Sequence, residues 1–235
     1  MSEPFRFKHF QVKNERSALK VGTDAVLLGA AMTLPGKRPL RLLDIGTGTG
    51  VIALMAAQRL GDGFHIDAID IDGASALEAA ENFAASPWAG SLSAENVPLR
   101  DFRPDGQYDH IFSNPPFYEN SLENPDAREA AARHTGSLSY RDICSFAAEH
   151  LADNGTLAII LPAEMEQPLV RTAASFGLFP FRVLRVRTTA RKQPKRVVME
   201  LSRERGACPG PEELVLQDGP VRTPAYSALT DDFYL

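Results

Sequence analysis

The chain has 235 residues, 44% of them hydrophobic and 23% charged, an ordinary balance for a globular protein that fits one large α/β domain. No apolar run is long enough to cross a bilayer, and the polar N-terminus of mixed charge lacks the features of a secretory signal. A net charge of −5 argues against unspecific coating of nucleic acid. The two cysteines, Cys144 and Cys208, show no metal-ligand spacing, so we expect plain thiols in a reducing cytosol.

The first 35 residues are predicted to contain a hairpin and a helix. Three phenylalanines in residues 5–10 alternate with basic residues, which favours a short strand or hairpin. A helix is then predicted to start at Thr23 and Asp24, with Asp24 as the N-cap and an apolar stretch, 25–32, behind it. The proline and glycine at 35–36 end this helix.

A glycine-rich turn follows the first apolar strand, Leu40–Ile45. The turn is Gly46-Thr47-Gly48-Thr49-Gly50, and a helix that is apolar nearly all round follows over Val51–Leu60. Strand, glycine turn and buried helix form the first half of a nucleotide-binding α/β unit. The spacing differs from the dinucleotide pattern G-x-G-x-x-G and lacks a P-loop lysine, so a nucleoside triphosphate is not expected. The alternative is a plain tight turn, which Asp44, two residues before the first glycine, disfavours.

An acidic residue lies at the expected end of the second strand, His65–Asp70. Asp70 comes 20 residues after Gly50, and in such units a carboxylate there accepts hydrogen bonds from both hydroxyls of an adenosine ribose. The alternative role is an N-cap for the helix predicted over Ala74–Ala84, which Asp72 fits better. We therefore assign Asp70 to the ribose.

The segment Asn114-Pro115-Pro116-Phe117 has the composition of a site for a planar amino group. It follows a predicted strand, Tyr108–Ser113, and the two prolines end the strand pairing because neither has an N–H to donate. The side-chain oxygen of Asn114 and a neighbouring backbone carbonyl can each accept one hydrogen of an –NH2 group. Phe117 can lie against the ring that carries the amine, as aromatic side chains do with flipped bases. The alternative is a proline-stiffened turn capped by the Asn.

The remaining predicted elements alternate between helix and strand. Residues 118–139 are polar and are expected to form a mobile loop over the site, with a short helix at 127–133. The other elements, in chain order, are a strand at Leu92–Val97, a helix at Tyr140–Leu151, a strand at Thr156–Leu161, a helix at Glu164–Phe176, and a hairpin of Phe179–Arg187 and Arg196–Ser202 that closes the sheet. The rest of the chain, from the end of this hairpin to Leu235, is expected to be irregular, with an aromatic end (Tyr226, Phe233 and Tyr234) packed on the domain. This alternation predicts a parallel sheet covered on both faces.

The hairpin is strongly basic. Between Phe181 and Val197 there are seven basic residues and no acidic one: Arg182, Arg185, Arg187, Arg191, Lys192, Lys195 and Arg196. Arg185 and Arg187 share one strand face because Val186 points the other way. We predict that the hairpin docks RNA through Arg185, Arg187, Arg191, Lys192 and Lys195. The alternative is a solvated edge strand whose charges block aggregation.

These motifs together resemble the class I S-adenosylmethionine-dependent methyltransferases with an N-P-P-aromatic motif. More narrowly, the chain is similar to the bacterial valine-tRNA adenine-37 N6-methyltransferase family over nearly its whole length. The similarity extends to four outlying segments, Phe7-Lys8-His9-Phe10, Lys20-Val21-Gly22-Thr23-Asp24, Ser86-Pro87-Trp88-Ala89 and Tyr226-Ser227-Ala228-Leu229-Thr230.

The resemblance implies a fold, a cofactor and a set of site residues. The fold is a Rossmann-like, mostly parallel sheet with helices on both faces and a C-terminal antiparallel hairpin, in a single domain 1–235 whose residues 1–35 border the cofactor and substrate site. The implied residues are Thr23, Asp24, Asp44, Gly46, Gly48, Gly50, Asp70 and Asn114 for S-adenosylmethionine, Asn114, Pro115 and Phe117 for catalysis, and Pro116 and Phe117 for the adenine. The implied partner is tRNA, without metal or membrane, for a monomer in the cytoplasm. One departure is Pro98, which stands where many relatives have an Asp that contacts the cofactor's adenine, so that contact moves to Asn96 or to backbone.

Three rival functions remain at this point. A protein glutamine methyltransferase also uses an Asn-Pro-Pro-aromatic motif, but those relatives carry a helical domain ahead of the glycine turn, and only about 40 residues precede it here. DNA adenine enzymes usually have a separate recognition domain, and an rRNA methyltransferase is a further alternative. The third rival is a non-catalytic RNA-binding module. Such a module would be expected to have lost one of the turn glycines, Asp70 or Asn114, and all of them are present here.

Overall fold

A nine-stranded sheet forms the centre of the structure, a computed structural model that describes residues 3–17, 20–36, 39–116, 138–206 and 208–235. Strands β1 and β2, Phe5–Arg6 and Gln11–Val12, form a small separate hairpin. The nine strands of the sheet, β3 to β11, are Leu40–Ile45, Phe64–Asp70, Leu92–Asn96, Tyr108–Ser113, Leu151–Pro162, Phe179–Thr189, Arg196–Ser202, Glu212–Asp218 and Val221–Arg222. The α-helices of the described ranges, α1 to α6, are Thr23–Ala31, Val51–Leu60, Gly73–Ala84, Tyr140–His150, Glu166–Ser175 and Pro224–Thr230.

The strand order places the chemically interesting segments at one edge of the sheet. The order is β11-β10-β8-β9-β7-β6-β3-β4-β5, and the pairs β3–β4, β3–β6, β4–β5, β6–β7 and β8–β10 are parallel. Strand β9 is antiparallel to both β7 and β8, so β8 runs in the same direction as β7. The carboxyl ends of β3 to β8 and the start of β9 therefore lie at one edge, where parallel α/β sheets bind ligands.

Two apolar clusters cover the two faces of this sheet. In β3, Leu42 packs with α1, α2, α3 and α6, whereas the next residue, Leu43, packs with α4 and α5 on the other face. Alternation of this kind follows from the two-residue period of a strand, and burial on both faces explains why β3 is apolar almost throughout. The expected parallel sheet with helices on both faces is confirmed.

Several element boundaries match the sequence predictions residue for residue. The strands Leu40–Ile45, Tyr108–Ser113 and Arg196–Ser202 and the helix Val51–Leu60 have the predicted ends. Helix α4 begins at Tyr140 because Ser139 forms a capping box with Asp142. Strand β7 is longer than predicted: it starts at Leu151, well before Gly155. The predicted loop and short helix at 118–139 lie almost wholly outside the described residues.

The C-terminal part is regular, so the expectation of an irregular remainder was wrong. Strand β10 pairs in parallel with β8, and β11 pairs with β10. Helix α6 begins where the Thr223 side chain accepts a hydrogen bond from the Tyr226 N–H, with Pro224 at the first helical position. The predicted packing of the aromatic end is confirmed, because Tyr226 and Phe233 are buried. With β10 beside it, β8 is not an edge strand, so the edge-strand alternative for the basic hairpin does not apply.

Candidate functional site

The glycine turn between β3 and α2 brings the backbone very close to α3. Gly46, Gly48 and Gly50 all have positive φ, between 56° and 80°, which disfavours any residue with a Cβ. At Gly50 the steric restriction is strongest, since an added Cβ would lie 2.5 Å from Cε1 of Phe83 in α3. Both the dihedral angles and the packing against α3 therefore require glycine in the predicted turn.

Asp44 supplies a fully buried carboxylate next to this turn. Its Oδ2 accepts a hydrogen bond of 2.8 Å from the Thr47 hydroxyl, whereas Oδ1 has no partner among the described residues. Burial raises the pKa of Asp44 to about 7, against the opposing effect of the Thr47 hydroxyl. A buried acceptor without a partner is costly, and it suits a site in which a ligand completes the hydrogen bonding.

Asp70 joins the end of β4 to the glycine turn. Its Oδ2 accepts from the Gly48 N–H at 2.9 Å, and its Oδ1 accepts from the Asp72 N–H at 2.9 Å. Burial raises the pKa of Asp70, although these two backbone donors act in the opposite direction. Each carboxylate oxygen can accept more than one hydrogen bond, so Asp70 keeps acceptor capacity. The predicted helix cap is confirmed for Asp72, whose side chain accepts from the Ser75 N–H.

Strand β5 ends in a residue that fixes the backbone around Asp70. The Asn96 side-chain amide donates at 3.0 Å to the carbonyls of both Asp70 and Ile71. The Asn96 –NH2 group is thus engaged with backbone, and the role left for this side chain is to accept a hydrogen bond from an adenine amino group through its oxygen. Ile71, which the sequence reasoning missed, is 58% exposed beside Asp70. The sequence did contain a signal for Ile71, because it is an apolar residue directly after the acid that ends a strand.

Asn114 follows β6 at the point where Gly46 follows β3. Ser113 pairs with Ile45 in the sheet, and the Ser113 hydroxyl donates to the Ile45 carbonyl at 2.7 Å, which locks the two strand ends together. Pro115 is buried, while Asn114 and Pro116 are half-buried. Asn114 therefore directly follows a strand end that is hydrogen-bonded to β3, beside the glycine turn. Phe117, predicted to stack on the substrate ring, lies outside the described residues.

The start of α1 differs from its prediction. The helix begins at Thr23 with Gly22 as the N-cap, so the expectation that Asp24 caps it was wrong. Asp24 lies in the first turn, where a carboxylate is favourable, and its Oδ2 accepts from Nε of Arg196 at 2.7 Å. Arg196 is the first residue of β9, so this ion pair links α1 to the basic hairpin.

The cations of the basic hairpin fall into two groups. Arg185 forms an ion pair of 2.7 Å with Glu166, and Arg187 forms one of 2.7 Å with Glu213 and also donates to the Lys192 carbonyl. Arg182 contacts Glu200 and Glu212. The remaining cations, Arg191, Lys192 and Lys195, lie exposed in the hairpin tip, residues 190–195. The tip connects the end of β8 to the start of β9, at the same edge as Asn114.

Metal-binding clusters and membrane-spanning helices are both absent from the described residues. No group of three or more His, Cys, Asp or Glu side chains is arranged to hold a metal ion in the described ranges. No helix within those ranges has the length and apolar character needed to cross a membrane.

Solved structures with a similar fold are methyltransferases. A predicted O-methyltransferase from Agrobacterium tumefaciens superposes with a TM-score of 0.66 at 16% identity, covering 89% of this chain and 96% of that one. The glycopeptide N-methyltransferase MtfA, solved with S-adenosylmethionine, gives a TM-score of 0.55 at 12% identity over 77% of this chain and 93% of its own. The expected class I methyltransferase fold is confirmed.

Sequence comparisons are more specific. Residues 17–178 match the methyltransferase small domain family. A tRNA1(Val) (adenine(37)-N6)-methyltransferase from Flavobacterium johnsoniae is 40% identical over 98% of this chain and 99% of its own length. A protein of the same name from Parabacteroides distasonis is 41% identical over 100% of this chain and 99% of its own. The chain therefore belongs to the methyltransferase small domain family and, within it, to the family of tRNA1(Val) (adenine(37)-N6)-methyltransferases.

Proposed function

We propose that this protein transfers a methyl group from S-adenosylmethionine to the exocyclic N6 of an adenine in tRNA, at position 37 of a valine tRNA. The observation that carries the proposal is the placement of Asn114 on a rigid strand end directly beside the glycine turn. The full-length relatives bear the name of this activity, and they supply the identity of the tRNA and of the base.

The residues around the turn fit S-adenosylmethionine. The remaining acceptor capacity of Asp70 suits the ribose hydroxyls, and the exposed apolar side chain of Ile71 suits the flat face of a purine. The unpartnered Oδ1 of Asp44 is a buried acceptor in the same turn. When bound, the cofactor supplies an electrophilic methyl group. Thr23 and Asp24, proposed to border its methionine end, are joined to the hairpin through Arg196.

Asn114 would prepare the substrate amine. The lone pair of an adenine N6 is delocalised into the ring, which makes the nitrogen a weak nucleophile. When Asn114 Oδ1 and the Pro115 carbonyl each accept one of its hydrogens, a more tetrahedral nitrogen is favoured and its lone pair is directed out of the ring plane. The proton can leave after transfer, so no strong base is required. Most of the acceleration then comes from positioning and exclusion of water.

The hairpin tip is the proposed docking surface for tRNA. Arg191, Lys192 and Lys195 are exposed there, at the edge of the sheet that carries Asn114. Phosphate contacts by such cations supply affinity without reading sequence. Arg185 is engaged with Glu166 of α5, and Arg187 is engaged with Glu213 and with the Lys192 carbonyl of the tip, so we assign both to holding the hairpin rather than to touching RNA. We also propose that residues 1–235 act as one domain, as a monomer, in the cytoplasm.

The proposal is tested with Asn114→Ala and two transcripts of valine tRNA, one with adenine and one with guanine at position 37. Mass spectrometry of the digested nucleosides should detect N6-methyladenosine only with wild-type protein and the adenine transcript. Calorimetry with S-adenosylhomocysteine should show that Asn114→Ala still binds the cofactor product although it no longer transfers methyl groups. Wild-type turnover by Asn114→Ala would show that the motif is only a turn. Methylation of rRNA or of a protein glutamine in place of tRNA would favour a rival substrate.

A further inference from the structure

An N-terminal segment, residues 13–17, lies along α3 and is bound there by one buried carboxylate. Glu78 is 1% exposed and accepts the backbone N–H groups of Glu15, Arg16 and Ser17 at 2.8, 2.9 and 2.9 Å. Consecutive N–H groups that converge on one anion form a nest, here filled by a side chain of the protein itself. Burial alone would raise the pKa of Glu78, but the three donors outweigh it and hold that pKa below its usual range.

The next buried polar side chain on α3 connects this segment to the glycine turn. Asn82, which is 2% exposed, accepts from the Lys13 N–H at 2.8 Å and donates to the Lys13 carbonyl at 3.1 Å. It also donates at 2.9 Å to the carbonyl of Thr49, the residue before Gly50. A single buried amide thus fixes the spacing between the segment and the turn.

The same segment is tied to the start of α1. The Lys20 ammonium donates to the carbonyls of Asn14 and Glu15 at 2.7 and 2.8 Å. The Val21 N–H donates to the Asn14 side chain at 3.2 Å. Lys20 and Val21, just ahead of α1, are therefore held by segment 13–17.

We propose that Glu78 and Asn82 are positioning residues for the cofactor site: they hold segment 13–17 as a brace between the glycine turn and the start of α1. The inference rests on the proposed function, because it concerns the site for S-adenosylmethionine. Neither side chain needs to touch the cofactor. Their effect is transmitted through Thr49 on one side and through Asn14 and Lys20 on the other.

Helix α3 provides a matched control. Glu81 lies three residues after Glu78, but it is more exposed and contacts the side chains of Lys13 and Arg16 rather than the backbone. Replacing Glu81 by Gln removes the same charge from the same helix and leaves the nest intact. Replacing Glu78 by Gln keeps one acceptor oxygen but places an –NH2 group against a backbone donor.

The test compares wild type, Glu78→Gln and Glu81→Gln by calorimetry with S-adenosylhomocysteine and by steady-state kinetics. Glu78→Gln should bind S-adenosylhomocysteine about tenfold more weakly than wild type, which is the effect of losing roughly one hydrogen bond to a charged group. Glu81→Gln should change the affinity for S-adenosylhomocysteine by about twofold or less. The KM for S-adenosylmethionine should rise with Glu78→Gln while the KM for tRNA stays the same. A merely structural role would lower the melting temperature and the active fraction without this split.

Equal affinity of wild type and Glu78→Gln for the ligand would overturn the inference. If Glu78→Gln does not fold, hydrogen exchange in wild type decides the question. The amides of residues 15–17 should exchange more slowly with S-adenosylhomocysteine present, and unchanged exchange overturns the inference. A wild-type protein that fails to bind S-adenosylhomocysteine overturns the proposed function instead, so the two failures are distinguishable.

Discussion

The Nε of Arg196 donates to the carboxylate of Asp24 at 2.7 Å, across 172 positions of sequence. The pair joins the first strand residue after the hairpin tip to the first turn of α1. Each side chain is only about one-quarter exposed, at 28% for Arg196 and 26% for Asp24. Asp24, which was expected to cap α1 and to border the cofactor, therefore also anchors the proposed docking hairpin through Arg196.

We expect the Asp24–Arg196 pair to contribute a coupling free energy of about 1 kcal/mol to folding, near the upper end for partly exposed pairs. The measurement is a double-mutant cycle with Asp24→Asn, Arg196→Gln and the double variant, followed by urea unfolding. Arg196 makes other contacts as well, so its single variant alone would not isolate the pair. Strict additivity of the two substitutions would contradict the prediction.

Replacing Asp70 by Ala should weaken cofactor binding by roughly 1.5–3 kcal/mol, the range for hydrogen bonds to a charged group. Asp72→Ala is the matched control. Asp72 lies two residues after Asp70, and its side chain caps α3 by accepting a hydrogen bond from the Ser75 N–H. Loss of that cap should cost about 1 kcal/mol of stability without changing cofactor affinity. Calorimetry and thermal melting of both variants separate the two roles. The ribose assignment fails if Asp70→Ala binds as well as wild type.

Replacing Arg191, Lys192 and Lys195 by Ser should flatten the dependence of log affinity for tRNA on log salt by about two to three units, because each phosphate contact contributes about 0.7–0.9. Cofactor affinity should not change. The control is Arg185→Gln with Arg187→Gln, which breaks the pairs with Glu166 and Glu213 and should lower stability rather than the slope. A triple variant that keeps the wild-type slope would move RNA docking to the N-terminal cations Arg6, Lys8 and Lys13.

Asp44 should make the stability of the cofactor-free protein fall as pH rises. Its pKa is about 7 in the folded state, above the ordinary value of a carboxyl, so between the two values only the folded protein retains the proton. Asp44→Asn cannot titrate. Its advantage over wild type in unfolding free energy should therefore grow by about 1.4 kcal/mol per pH unit from about pH 4 to 7, and stay constant above. Urea unfolding of both proteins across this range measures the difference, and parallel curves would refute it.

The central sheet and the cofactor turn were predictable because local signals and tertiary environment agree there. The strand Leu40–Ile45 is apolar on both faces, and the glycines and prolines that bound the neighbouring elements permit few alternatives. Gly50 could be predicted as a close-approach residue from its place in the turn, although its partner, Phe83, could not. The acid at the end of β4 was identified by spacing alone.

Other features depend on contacts that a single sequence does not reveal. The strand Glu212–Asp218 begins with two acidic residues, and these form ion pairs with Arg182 and Arg187 of the neighbouring β8. Four of the seven cations of the basic hairpin, Arg182, Arg185, Arg187 and Arg196, form ion pairs with acidic side chains elsewhere in the fold. Glu78 and Asn82 could have been noticed as polar residues on the buried stripe of α3, but their partners in segment 13–17 are backbone groups more than 60 positions away.

The contact between the two ends of the described chain has a consequence for synthesis. The Lys8 N–H donates to the Phe233 carbonyl at 2.8 Å, and Phe7 stacks on Tyr234. During translation the sheet strands emerge in order and can begin to pair, because folding proceeds from the N-terminus as the chain leaves the ribosome. The first phenylalanines must nevertheless wait for residues that are made more than two hundred positions later. A nascent chain would thus form its glycine turn early, whereas the packing of Phe7 and Lys8 would be completed only after translation has passed Tyr234.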